Sequence, residues 1–338
     1  MKQLKLLFIT VILSGVVLGQ NVNKTGTTAA NFLKIGAGSR AIGMGGAFVA
    51  LANDATSMYW NPGGMAQLRD SELIVNHTQW IADIGYTFIG FAMPIRGAGT
   101  LGFNVIAMTM DEMEVTTYGF EEGTGETFKA GSYAVGLSYG QKLTDRFGIG
   151  ATVKYINEFI SQSSATGLAI DIGTLFVTPF RGIRFGASIS NFGQKMQIWG
   201  DDLLVQKDID EIHNGNNESV NAYLGTDRFD LPLLLRVGLS GEIIDTPQLR
   251  LTWAVDGVHP NDNSEYLNTG FEVSVLDDLA RLRGGFKSLY MADGEEEFTL
   301  GGGLNLPVNR SMQLQADYAY ESFIHLRQIH KLTLRLIF

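Results

Sequence analysis

The chain ends in the stretch Lys331-Leu332-Thr333-Leu334-Arg335-Leu336-Ile337-Phe338. Side chains of an extended strand alternate between its two faces, so the leucines and Phe338 share one face and the polar residues share the other. An open strand edge with such an apolar face promotes aggregation in water. A closed outer-membrane barrel accommodates it, because its last strand pairs with its first and presents Leu and Phe to lipid. We therefore predict that Leu334, Leu336 and Phe338 form the barrel-assembly signal of a transmembrane β-barrel.

The composition favours sheet over helix. Glycine accounts for 41 of the 338 residues, about 12% against a usual share of about 7%. After the N-terminus no apolar run reaches the roughly 18 residues that a membrane-spanning helix needs. Cysteine is absent, which excludes disulfides and thiolate metal sites. The formal net charge of −10 and the lack of a basic stretch argue against a nucleic-acid partner.

Residues 1–19 have the features of a secretory signal peptide. Lys2 and Lys5 give a positive start, residues 6–17 form the apolar segment, and Gly19 provides a small residue for cleavage before Gln20. The alternative, a membrane-anchor helix, requires a longer apolar segment. We expect this signal peptide to export the chain to the outer membrane of a Gram-negative type of cell.

From residue 71 onward the chain repeats a pattern of strand and turn. Phe271, Val273 and Val275, for example, share one face of a strand, whereas Glu272 and Ser274 lie on the other. The same alternation and its turn residues predict about fourteen strands. These strands are expected near 71–79, 84–94, 98–110, 130–142, 146–159, 165–178, 182–193, 231–242, 248–258, 266–276, 280–290, 297–307, 311–322 and 328–338.

The connections between the predicted strands alternate in length. Every second one is tight, and four of these six contain proline: 93–97, 143–145, 178–182, 245–247, 276–278 and 306–309. The other set includes the long or acidic connections 111–129, 194–230, 259–265, 291–296 and 321–327. Short periplasmic turns and long outer loops are typical of outer-membrane barrels. A soluble β-sandwich is the alternative fold, but it leaves the signal peptide, the terminal Phe338 and the alternation of loop lengths unconnected.

Polar faces of the predicted strands carry several charged residues. Inside a barrel such side chains must pair with each other or face water. They are Lys154, Arg236, Arg250, Asp256, Glu272, Asp317 and Arg335.

Candidate catalytic and metal-binding side chains do not converge in the sequence. The five histidines, His77, His213, His259, His325 and His330, lie in different predicted strands or loops, unlike the ligands of a zinc site. No Gly-x-Ser-x-Gly elbow, phosphate loop or EF-hand spacing occurs. Acidic residues cluster in the 194–230 loop and at 295–297, which indicates a solvated surface, with adventitious cation binding as the alternative. We predict no enzymatic activity, no metal and no cofactor.

Residues 20–70 differ from the pattern that follows them. Glycine and alanine are dense between Asn31 and Ala50, and residues 61–64 form a strong turn signal that should end a short helix over 47–60. Gly36-x-Gly38-x-x-Ala41 is similar to a dinucleotide fingerprint, but no strand precedes it and no ribose-binding acid follows. Small residues at this density let a backbone pack closely inside the structure that surrounds it.

Two stretches of this segment resemble the N-terminal signature of the PorV/PorQ family. They are Phe32-Leu33-Lys34-Ile35-Gly36-Ala37-Gly38-Ser39-Arg40-Ala41-Ile42-Gly43-Met44-Gly45-Gly46-Ala47-Phe48-Val49-Ala50 and Asp54-Ala55-Thr56-Ser57-Met58-Tyr59-Trp60-Asn61-Pro62-Gly63-Gly64-Met65-Ala66. That family belongs to the wider FadL-like group of fourteen-stranded outer-membrane barrels. Gly63 stands where the wider group usually has Ala, which changes little because both residues are small.

By this resemblance, residues 20–66 form a plug that enters the barrel from the periplasm. The implied domains are a signal peptide over 1–19, an N-terminal plug segment over 20–70 and an outer-membrane barrel over 71–338. The implied plug residues are Gly36, Gly38, Arg40, Gly43, Gly45, Gly46, Trp60, Asn61 and Pro62.

The resemblance implies two functions of different class. For FadL-like proteins it implies passive uptake of hydrophobic molecules, such as long-chain fatty acids or aromatics, through a loop-side pocket and out laterally into the membrane. For PorV it implies a role in type IX secretion, in which the barrel binds a translocon or a cargo signal domain and carries exported proteins to a surface attachment complex. The N-terminal motif is closer to PorV/PorQ, which favours the secretion role.

The loop at 194–230 contains the candidate binding residues Met196, Ile198, Trp199, Leu203 and Leu204. They are suited to contact either a lipid-like ligand or a protein, and packing of the loop onto the barrel rim is the alternative. The predicted partners are therefore outer-membrane lipid together with either secretion proteins or a hydrophobic small molecule in the lumen.

Overall fold

The computed structural model describes residues 24–209, 212, 219–291 and 294–338. The predicted signal peptide and His213 lie outside these residues. The described strands are β1 (Glu72–Gln79), β2 (Gly85–Ile95), β3 (Gly99–Thr109), β4 (Met113–Glu114), β5 (Thr127–Phe128), β6 (Ala130–Thr144), β7 (Phe147–Ile160), β8 (Ser163–Val177), β9 (Arg184–Gly193), β10 (Trp199–Gly200), β11 (Leu204–Lys207), β12 (Val220–Tyr223), β13 (Leu234–Asp245), β14 (Leu249–Pro260), β15 (Tyr266–Val275), β16 (Ala280–Leu289), β17 (Glu296–Pro307), β18 (Gln313–Phe323) and β19 (Ile329–Ile337).

The described helices are all short. Two are α-helices, Ser39–Gly43 and Ser57–Trp60, and four are 3-10 helices, Asn31–Lys34, Pro62–Gln67, Ile81–Asp83 and Asp201–Leu203. None of these helices has the length and apolar character needed to cross a lipid bilayer.

Fourteen strands form one closed antiparallel barrel. Each of β1–β3, β6–β9 and β13–β19 pairs with its neighbour among these strands, and β19 pairs back onto β1 with Leu336 opposite Leu73. The predicted fold class is therefore confirmed, and the predicted strand bounds differ from the observed ones by at most three residues. A sheet that closes on itself has no exposed edge, so the sandwich alternative is wrong.

The barrel wall is apolar outside and polar inside. In β19, Leu332 and Leu334 are 53% and 47% exposed on the outer face, whereas Lys331 and Thr333 are 1% and 2% exposed on the inner face. The same alternation of exposed and buried residues runs along β7 and β8. This is the reverse of a water-soluble protein and matches a barrel whose outer surface contacts hydrocarbon.

The two ends of the barrel differ as predicted. We call the end with the long connections the loop side and the other end the turn side. One loop-side connection is also tight, because residues 161 and 162 alone join β7 to β8. The loops contain strands that the sequence analysis did not predict: β4 pairs with β5, β11 pairs with β12, and β10 extends β8.

Residues 24–70 run through the barrel lumen from the loop side to the turn side. Thr28 forms a bridge with Asp230 at the loop side, and Gly63 packs against Gly173 near the turn side, just before β1 begins. The buried apolar core lies in the lumen as well. It joins Phe32, Leu33, Ile42, Met44 and Phe48 of this segment to inward-facing Tyr86, Phe88, Ile106 and Ile156 of the wall.

Candidate functional site

The nine residues proposed for the plug lie together in the lumenal segment. Gly36 and Gly46 both lie beside the indole of Trp60, which donates a hydrogen bond to the carbonyl of Ala37 at 2.8 Å. Gly38 packs against Thr56. The glycines of the dinucleotide-like motif thus make room for neighbouring side chains of the same segment. That the segment acts as a plug stays a prediction.

At Gly45 any larger side chain would collide with the backbone of the barrel wall. Its φ is +66°, and a Cβ there would come within 2.6 Å of the Thr269 carbonyl oxygen and 2.7 Å of the Phe286 carbonyl oxygen. Its backbone N–H also donates to the hydroxyl of Thr299 at 3.0 Å. The segment therefore lies directly on the backbone of the barrel wall at this point, because no side chain separates the two.

We expect the substitution Gly45→Ala to destabilise the folded barrel much more than Gly97→Ala. Both glycines have a positive φ, but a Cβ on Gly97 meets nothing within 4 Å. Gly97→Ala therefore reports backbone strain alone, about 1 kcal/mol, and Gly45→Ala adds the clash with the wall, for about 3 kcal/mol in all. Urea unfolding of each variant measures its loss of stability, with the folded fraction read from the change in electrophoretic mobility that a folded barrel shows on heating. Equal losses of stability would show that the segment is not packed on the wall.

Asn61 and Pro62 anchor the turn-side end of the segment. The Asn61 amide donates to the carbonyls of Val49 at 2.8 Å and Thr174 at 2.9 Å, and its oxygen accepts from the Gly63 N–H at 3.0 Å. Asn61 thus caps the helix Pro62–Gln67, with Pro62 at a position that needs no N–H donor. The predicted turn signal does end the preceding helix at Trp60, but that helix spans only Ser57–Trp60 and not 47–60. The signal also starts another helix rather than an open turn.

A buried ionic network joins Arg40 of the segment to strands β15, β16 and β18 of the wall. Its guanidinium donates two hydrogen bonds to Glu272, each of 3.0 Å, which is the bidentate geometry of a strong pair. Glu272 also accepts from Arg283 at 2.6 Å, and Arg283 donates to Asp317 at 2.6 Å.

A second cluster surrounds Asp54. Arg335 of β19 lies 3.5 Å from Asp54 and 3.5 Å from Glu72, and Arg40 lies 3.4 Å from Asp54. The two clusters share Arg40, so they connect β15, β16, β18 and β19 through the lumenal segment.

Aromatic and backbone contacts hold the segment elsewhere. The hydroxyl of Tyr59 donates a hydrogen bond to the Leu33 carbonyl at 3.0 Å. Asp256 of β14 accepts from the backbone N–H groups of Phe48 and Val49 at 2.7 and 2.9 Å. These contacts hold the backbone of the segment inside the barrel.

The structure separates the five candidate residues of the loop. Met196 is buried against Gly167, and Ile198 is partly buried. Trp199 is exposed and stacks on Tyr223 with ring centroids 5.1 Å apart. Leu203 ends a 3-10 helix, and Leu204 is exposed at the start of β11. Packing on the barrel rim thus describes Met196 and Ile198, whereas Trp199 and Leu204 belong to an outer surface.

Met196 and Ile198 line an apolar cavity of about 370 Å³ at the loop side. The cavity lies between the start of the lumenal segment and the ends of β3, β6, β7 and β8, with Met108, Phe159 and Phe229 in its walls. Sequence analysis missed these three residues, because apolar residues at strand ends give no sign of which side of the rim they face. It also missed Arg283, although alternation with the exposed Leu282 in β16 places Arg283 on the inner face.

Comparison with known proteins gives a family and a fold. The family model of the type IX secretion system protein PorV matches residues 19–203. No curated protein sequence matches the chain.

Several solved structures share the fold over nearly the whole chain. The CymD monoaromatic hydrocarbon channel has a TM-score of 0.57 at 12% identity, over 90% of this chain and 97% of that one. The toluene transporter TodX of Pseudomonas putida has a TM-score of 0.56 at 10% identity, over 89% and 97%. A FadL homologue of Pseudomonas aeruginosa has a TM-score of 0.51 at 13% identity, over 87% and 96%. At such low identity the likeness shows the fold alone.

Proposed function

This chain belongs to the family of the type IX secretion system protein PorV, and on that premise we propose that it is a non-enzymatic component of protein secretion that binds a translocon or cargo protein. The chain is an outer-membrane β-barrel. The proposal adds to this that residues 20–70 act as a plug, that residues 1–19 are a cleaved signal peptide, and that the barrel works through its surface.

The filled lumen is the observation that supports this proposal most strongly. The side chains of Phe48, Met44 and Ile42 are fully buried inside the barrel. The segment that carries them is tied to the wall by the Arg40 network and by Asp256. We therefore expect no continuous aqueous path at the centre of such a barrel, and we propose that it works through its ends and its lipid-facing side.

The loop side presents large apolar side chains to solvent. Tyr118 and Phe120 lie at the tip of the loop that carries β4 and β5 and are 104% and 62% exposed. Trp199, stacked on Tyr223, is 54% exposed on a second loop. Aromatic residues are over-represented among the few that dominate binding energy in protein interfaces. We propose the face around Trp199 as a protein-binding surface.

We expect the double substitution Trp199→Asp with Leu203→Asp to reduce partner retention about tenfold or more, because interface hot spots contribute about 2 kcal/mol or more. The measurement is quantitative mass spectrometry of type IX secretion proteins copurified from native outer membranes. Val308→Asp, at an exposed apolar residue of the turn side, is the matched control and should retain the partner. Full retention by the double variant would remove this loop from the binding surface.

Passive transport of hydrophobic small molecules is the second candidate function. The apolar loop-side cavity of about 370 Å³ favours it, because a cavity of this size and lining suits a small apolar ligand. Mass spectrometry of lipids and small molecules in the purified barrel distinguishes the two functions. A stoichiometric long-chain or aromatic molecule supports transport, whereas its absence beside a retained secretion protein supports the first proposal.

A further inference from the structure

A second cavity, of about 330 Å³, lies inside the lumen on the other side of the segment. It is bounded by Trp60 of the segment, by Leu234 and Arg236 of β13, and by Tyr266 and Phe323 at the loop-side ends of β15 and β18. These walls combine aromatic and aliphatic surface with charged groups. The cavity is separate from the exposed face around Trp199 and from the apolar cavity that contains Met196.

Most charged groups in the cavity wall have an oppositely charged partner. Lys34 pairs with Asp262 at 2.7 Å, and Lys287 pairs with Glu296 and with Glu321. Glu295 lies 3.0 Å from a ring nitrogen of His325, and this contact is an ion pair only when the histidine is protonated. These groups are therefore largely compensated by each other and do not by themselves create a site for an ion.

Arg236 is the exception among the described residues that line the cavity. Its side chain is buried, with 5% exposure, and it donates one hydrogen bond, of 3.0 Å, to the Ser190 hydroxyl. The guanidinium also lies over the rings of Trp60 at 5.4 Å and Tyr59 at 5.8 Å. In the described part of the chain no carboxylate lies within ion-pair distance of it.

Asp256 of the neighbouring strand β14 makes no ion pair with Arg236 either. Asp256 lies opposite Gly238, two residues from Arg236 on β13. One of its oxygens accepts from the N–H groups of Phe48 and Val49, and the other has no hydrogen-bond partner among the described residues. A buried guanidinium with five N–H donors, one hydrogen bond and no carboxylate within ion-pair distance is costly unless an anion or water completes its shell.

We propose that this cavity binds a small organic carboxylate, with the carboxylate on the guanidinium of Arg236 and the apolar body against Trp60, Leu234 and Tyr266. A planar guanidinium matches a carboxylate through two parallel hydrogen bonds. The aromatic walls supply apolar contact for a compact body such as an aromatic ring. This ligand site goes beyond the secretion role, because it requires no protein partner.

Binding of benzoate to the purified full-length barrel in detergent tests the proposal. Isothermal titration compares benzoate with benzyl alcohol, a neutral molecule of similar size. We expect Arg236→Gln to weaken benzoate binding by about tenfold to a hundredfold, because a hydrogen bond to a charged group is lost in a buried site. Arg250→Gln is the matched control, since Arg250 pairs with Asp278 at the turn side, and it should bind benzoate as the wild type does.

A change in electrophoretic mobility between unheated and heated samples establishes that each variant is folded. Arg236→Lys keeps the charge without the planar fork, so we expect it to bind benzoate more weakly than the wild type and more tightly than Arg236→Gln; it also serves as the test should Arg236→Gln fail to fold. Three results would overturn the proposal: no benzoate binding at millimolar concentration, equal binding of benzoate and benzyl alcohol, or full binding by the Arg236 variants.

Discussion

Deletion of residues 21–60 is expected to turn a closed barrel into an open pore. In the wild type this segment fills the lumen with buried side chains such as Phe48 and Met44. Its removal leaves an inner wall that is lined by polar residues, including Lys154, Glu272 and Lys331, and water can enter. We expect ion flux through reconstituted barrels to rise on the order of tenfold or more, as in barrels whose lumen is an aqueous channel.

Single-channel conductance in planar bilayers measures this effect. The matched control is deletion of residues 116–122, at the tip of the loop that carries β4 and β5, which lies outside the lumen. That variant should conduct no more than the wild type. A folded deletion variant that stays as closed as the wild type would show that residues 21–60 do not block the lumen.

Glu272→Gln is expected to destabilise the barrel by about 3 to 5 kcal/mol, because it leaves two buried guanidinium groups without their shared counter-ion. Arg40 and Arg283 both bind this carboxylate, at 3.0 and 2.6 Å. The amide retains the shape of the side chain and an acceptor oxygen, so the loss is mainly that of the charge. Because Arg40 comes from the segment, the substitution weakens the link between segment and wall.

Asp278→Asn is the matched control, since it also converts an acid into its amide within an Arg pair. Arg250 and Asp278 are each 30% exposed at the turn side, and a solvent-screened pair contributes about 0 to 1 kcal/mol. Urea unfolding of both variants in lipid vesicles gives the two free energies. Similar losses for the two variants would contradict a structural role of the buried network.

The wall of the barrel was predictable because the alternation of apolar and polar residues within each strand shows which residues face outward and which face inward. Alternation along β19 places Leu334 outside and Arg335 inside without reference to any other strand. The short strands β10, β11 and β12 were not predictable, since two to four residues show too little alternation.

The contacts of the lumenal segment were beyond sequence analysis for a different reason. Alternation assigns Glu272 and Thr333 to the inner face, but it does not say which residue of the segment each one meets. Arg40 and Glu272 are 232 residues apart in sequence, and Ser39 and Thr333 are 294 apart. The density of glycine in the segment did predict close packing, and Gly45 shows the physical reason in its contact with the wall backbone.

A disulfide between segment and wall directly tests whether residues 24–70 lie inside the closed barrel. The chain has no cysteine, and the hydroxyl oxygens of Ser39 and Thr333 are 2.8 Å apart in the lumen. Ser39→Cys with Thr333→Cys should therefore crosslink after assembly in the outer membrane. The control pairs Ser39→Cys with Leu334→Cys, one residue further on β19 but on the lipid-facing side, and should not crosslink. We expect nearly complete disulfide formation in the first variant alone; two free thiols in it, both labelled by a maleimide, would show that the segment lies outside the barrel.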